Sequence, residues 1–142
     1  MDGRIGVLVR AHAFGPRRAK LSATQFIEKP PIGVSRLAAG YTIRDGADTH
    51  IVLVTSTSAF RDARQSTTPC SDTEAIREIA AVLVHEEWHV RHGIDEAGAY
   101  DAQLMALMSF GVDFGSGLYY KVKKSKEAAL VAAERARGSS GP

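Results

Sequence analysis

The 142-residue sequence holds a single cysteine, Cys70, which excludes an internal disulfide and any metal site built from several thiolates. A metal ion, if bound, must then be held by histidine and carboxylate side chains. Long hydrophobic runs are also missing. None approaches the roughly 18–20 residues that a membrane span needs, and Ile5-Gly6-Val7-Leu8-Val9, closed by Arg10, is too short for the h-region of a signal peptide. No membrane span and a cytoplasmic location are therefore expected. Nor is there an excess of charge of one sign: 18 Lys and Arg against 16 Asp and Glu leave a formal net charge of +2, too little to imply a nucleic-acid partner. The positive charge gathers in Lys121, Lys123, Lys124, Lys126, Arg135 and Arg137, as on the solvated face of a helix.

What is present is ordinary for a folded chain, with 44% hydrophobic and 24% charged residues, which argues against wholesale disorder. The length suits one domain with a single core. Residues 1–38 hold Pro16, Pro30 and Pro31 and little periodicity, so they read as irregular apart from a short strand at Ile5–Arg10. Two β-rich runs, Tyr41–Arg44 and Thr49–Thr55, flank the turn sequence Asp45-Gly46-Ala47-Asp48 and predict an antiparallel hairpin.

Ser71-Asp72-Thr73-Glu74 has the spacing of a capping box. From it a helix is predicted to about His92, with Ile76, Ile79, Ala80 and Leu83 on its buried stripe and Gly93 as its stop. Asp95 caps a second predicted helix, Glu96 to about Phe110, with Leu104, Leu107 and Met108 on its inner face. Gly111, Gly115 and Gly117 interrupt the chain, and a last helix is predicted over roughly Lys124 to Arg137. The fold class is α+β: a short antiparallel sheet packed on the first long helix, then two more helices. The core spans residues 39–120, and residues 121–142 form a basic helical tail.

Inside the first long helix lies His85-Glu86-Glu87-Trp88-His89. Positions i and i+4 sit one above the other on a helix, with Cβ atoms about 5–6 Å apart, so two imidazoles so spaced can reach one zinc ion at roughly 2.0–2.1 Å. Glu86, beside the first of them, is placed to take a proton from a water polarised by the metal and to pass it to a leaving amine. Two adjacent imidazoles on a buried helix face without partners would each cost roughly 1–3 kcal/mol, a cost that a shared metal removes.

The segment Leu83-Val84-His85-Glu86-Glu87-Trp88-His89 resembles the active-site helix of the zincin metallopeptidases. Glu96-Ala97-Gly98-Ala99-Tyr100 looks like the second-helix element of their gluzincin branch. The similarity covers residues 39–110. It implies a zincin-like catalytic domain with Zn2+ as cofactor, a peptide or protein as substrate, and His85, His89 and Glu96 as metal ligands. It also implies an edge strand that pairs with the extended substrate, for which Thr49–Thr55 is the candidate.

Two other carboxylates compete for the third ligand position. Asp95 stands where the metzincin pattern places its last ligand, but that pattern's glycine position holds His92. Asp95 also reads as a helix cap. Asp101 could bind the metal or orient a ligand imidazole from behind. Met105 and Met108 could suggest a methionine turn, yet both fall at core positions of the helix. Tyr100 is the candidate donor to a developing oxyanion. His92 and Trp88 read as an exposed dipole-stabilised ring and a packing residue respectively. Two rival functions stand beside a peptidase: a non-catalytic zincin-like module that binds peptide, and a zinc-dependent amidase acting on a non-peptide substrate.

Overall fold

A computed structural model describes residues 23–35, 38–65, 74–139 and 141. The strand expected at residues 5–10, the capping box before Glu74 and Cys70 lie outside the described residues. The described chain runs β1 (Thr24–Ile27), β2 (Gly40–Asp45), β3 (Asp48–Val54), α1 (Ser58–Gln65), α2 (Glu74–His92), α3 (Glu96–Ser109) and α4 (Gly117–Gly138). It is therefore α+β.

The hairpin forms as its turn sequence predicts. Gly46 takes a positive φ of 59°, the conformation that a two-residue connection demands and glycine supplies. β2 and β3 pair antiparallel with Gly40 opposite Leu53 and Asp45 opposite Asp48. The sheet is nevertheless mixed, and this corrects the antiparallel expectation. β1 arises inside the segment read as irregular and pairs parallel with β3, Thr24 facing Ile51 and Ile27 facing Val54. β3 is thus the central strand of the order β1-β3-β2, and Thr49–Thr55 is not an edge. Ile51, Val52, Leu53 and Val54 are all at most 1% exposed, and an unbroken apolar run is the mark of a strand covered on both faces.

α1 was not anticipated from the sequence. Thr57 accepts its first helical hydrogen bond from Arg61 N–H, and Ala59, Phe60 and Ala63 bury one short face. With Ile51 and Leu53 of β3 and Ile76, Ile79, Ala80 and Leu83 of α2 these residues make the larger core. A second core lies on the other side of α2, where Ala81 meets Leu104 and Leu107 of α3 and Leu118 and Val122 of α4. α2 is thus flanked by the sheet with α1 on one side and by α3 with α4 on the other. That is why its apolar residues exceed a single stripe.

Two further expectations are corrected. Met105 and Met108 are 71% and 53% exposed, so neither is a core residue: the inner face of α3 is Ala99, Gln103, Leu104 and Leu107. α4 begins at Gly117, seven residues before the predicted start, because Ser116 caps it by accepting Tyr119 N–H and Leu118 and Val122 are buried. A serine cap and two buried anchors offset a glycine in the first turn. No helix among the described residues is long and apolar enough to cross a membrane.

Candidate metal centre

α2 presents His85 and His89 toward α3. Gly93 ends α2 with φ 75°, and two residues later Asp95 starts α3 by accepting Gly98 N–H. This tight reversal brings Glu96 back over the last turns of α2. Its Oε2 lies 3.5 Å from His85 Nε2 and its Oε1 3.4 Å from His89 Nε2, while the two Nε2 atoms stand 3.1 Å apart. Two donors on a tetrahedral zinc at about 2.0–2.1 Å are separated by about 3.3–3.4 Å. The three distances lie near that separation, with each Glu96 oxygen facing a different ring. Among the described residues these three form the single His, Cys, Asp and Glu group whose ligand atoms come within 4.8 Å of one another.

The tautomer of His89 tests the donor set. Its Nδ1 lies 2.7 Å from the Gly93 carbonyl oxygen, which accepts hydrogen bonds and donates none. Nδ1 therefore carries a proton, and Nε2 is turned toward His85 and Glu96. Two imidazole nitrogens and a carboxylate converging in this way could hold a metal ion. Glu96 is in the matching state: the His85 ring facing it is the largest influence holding its carboxyl below the usual range, with His89 adding to the pull.

Glu86 follows Ile79 and Leu83 on the sheet-facing stripe of α2, a carboxyl at a position where the helix otherwise buries apolar groups. It is 6% exposed. Burial pushes its pKa up to about 8, and the nearby Glu96 charge contributes to the rise. The first residue of β2 makes room for it: a Cβ on Gly40 would come within 3.2 Å of Glu86 Cγ and 3.0 Å of Leu53. Tyr100 packs its ring edge-on against His85, with centroids 4.5 Å apart at 77°. Its phenol pKa is raised by burial first and then by the Glu96 and Glu86 carboxylates, so it stays protonated and able to donate.

The other candidates are placed elsewhere. Asp95 accepts from Gly98 N–H at 3.0 Å and from Trp88 Nε1 at 3.2 Å, and the Gly98 bond is the main reason that its pKa is lowered. It is a cap. Asp101 is ion-paired with Lys126 on the exposed side of α3. The residue that touches the back of His85 is Gln103, whose Oε1 lies 3.0 Å from Nδ1. The sequence reading missed it. A polar side chain on the inner face of α3, two turns after Glu96, was the available signal. Trp88 stacks on His92 with centroids 4.0 Å apart and packs against α3 at Gly98, as a packing residue should.

His85, Glu86, His89, Glu96, Tyr100 and Gln103 line one open cleft of about 1450 Å³, to which β2 contributes Gly40, Thr42 and Arg44. Ala39 accepts from Val54 N–H, and inward-bonding residues alternate along an antiparallel ladder. The backbone groups of Gly40, Thr42 and Arg44 therefore point away from β3, toward the edge that no described strand covers. No known family model, curated protein or solved structure matches this chain, so its chemistry rests on these residues.

Proposed function

We propose that the chain is a zinc-dependent metallopeptidase of zincin type, gluzincin-like in taking its third ligand from the second helix. The observation that carries this reading is the convergence of His85, His89 and Glu96 ligand atoms within 4.8 Å of one another, beside the buried carboxyl of Glu86. Bound there, Zn2+ would polarise the scissile carbonyl and lower the pKa of water toward about 7. The chain's own groups do the rest. Glu86 takes the proton of the attacking water and delivers it to the departing amine. A dication beside it draws its raised pKa back down, by the same Coulombic logic that the Glu96 charge obeys in reverse. Tyr100 donates its phenolic hydrogen to the oxygen on which charge develops.

β2, the edge strand on the cleft side among the described residues, takes the substrate-pairing role first expected of Thr49–Thr55. An extended peptide adds to the outward groups of Gly40, Thr42 and Arg44. Glu86 also favours an enzyme over a binding module: a carboxyl on the core stripe is a burden on folding that peptide binding alone does not require.

The test compares wild type with Glu86→Gln in zinc content and in hydrolysis of a peptide library. The variant is expected to keep one zinc per chain and to lose at least about 100-fold in turnover. Equal turnover in the two proteins removes Glu86 from the chemistry, and absence of zinc from the metal-replete wild type removes the metal centre.

A further inference from the structure

The two ligand histidines are oriented by different kinds of partner. His89 hydrogen-bonds a backbone carbonyl, so its tautomer is fixed by the main chain. His85 hydrogen-bonds the side chain of Gln103. An amide can present either its oxygen, which accepts, or its nitrogen, which donates. With the oxygen inward, Nδ1 of His85 carries the proton and Nε2 offers a lone pair to the cluster. With the nitrogen inward, the proton moves to Nε2 and is donated across the 3.1 Å gap to His89 Nε2, closing the position that a metal would take. His85 and Gln103 are 8% and 6% exposed, so bulk water offers little alternative partner for either.

We infer that Gln103 is a positioning residue that selects the metal-competent tautomer of His85 by presenting its amide oxygen to Nδ1. The inference rests on the metal-centre reading above. A carboxylate at this place would hold the same tautomer but would add a negative charge to a centre that already contains Glu96. The amide orients the ring and leaves the centre's net charge for polarising substrate. One helix thereby supplies both the third ligand and the group that readies the first.

The tautomer is read directly by long-range 1H–15N NMR of the His85 ring in the chelator-treated full chain, and zinc affinity is measured by competition titration. Wild type should show the Nδ1–H form. Gln103→Leu, close in volume but without an acceptor, should shift His85 toward the Nε2–H form and weaken zinc binding about 10–100-fold, with the thermal transition of the metal-free protein retained. Gln103→Glu keeps an acceptor oxygen and should restore both the Nδ1–H form and the affinity. A wild-type His85 protonated on Nε2 overturns the inference whatever the variants do, as does a Gln103→Leu protein with unchanged tautomer and affinity. If the tautomer follows Gln103 as stated while no form of the protein binds zinc, the metal reading fails and the selection of the ring's state stands.

Discussion

Glu86 carries two opposed demands, and the conflict is measurable without any substrate. In the metal-free protein its carboxyl keeps its proton to about pH 8, whereas the unfolded chain releases it near the ordinary value of 4.5. Between those values the native state binds the extra proton, so the stability of chelator-treated protein falls as pH rises from about 4.5 to 8. Glu86→Gln, neutral throughout, should flatten that decline. Thermal melts of the two metal-free proteins across this window check it, and parallel declines would show that the carboxyl is not held protonated. The neighbouring acids separate as cleanly. Glu96→Ala should abolish stoichiometric zinc while leaving the helices in place. Asp95→Ala should lower the melting temperature by removing a cap and the Trp88 partner, yet retain zinc. Zinc analysis beside a thermal melt reads both, and zinc surviving in the Glu96 variant would remove it as a ligand.

At the scale of elements, the reach of Glu96 depends on how closely α3 approaches α2, and that approach is set by Gly98. A Cβ there would fall 2.6 Å from the Trp88 ring and into the Asp95 carboxylate. Gly98→Ala should therefore push the helices apart, destabilise the fold by about 1–3 kcal/mol and weaken zinc binding along with it. Urea titration and metal titration of the variant check the pair, and a stability loss with unchanged affinity would uncouple the helix spacing from the centre. The same elements show what was legible beforehand. The approach of Glu96 to His85 and His89 was readable because the helix period and the cap at Asp95 are local signals. The Asp-Gly turn announced the hairpin for the same reason. Thr24–Ile27 was not readable, since four residues become a strand only through pairing with β3, a contact the local sequence does not encode. The unbroken Ile51-Val52-Leu53-Val54 run did signal a central strand, and taking it for an edge overlooked that it lacks alternation. Gln103 escaped because its meaning depends on the ring it faces across the helix pair.

For the molecule as a whole, a zinc ion that binds the native chain and not the unfolded one raises stability by mass action. At a free concentration about 100 times the Kd the gain is about 2.7 kcal/mol. Differential scanning calorimetry with and without chelator should show the corresponding rise in melting temperature, with no rise in Glu96→Ala. All three donors lie between residues 85 and 96, on two helices joined by a reversal of three residues. The parallel ladder, by contrast, must bring Thr24 to Ile51. Closing a short loop loses little chain entropy, and near-neighbour contacts assemble ahead of distant ones. The order of events in refolding follows from that disparity: the three residues of the candidate metal centre meet as soon as one helical hairpin closes, while the parallel ladder waits for a strand recruited from far along the chain.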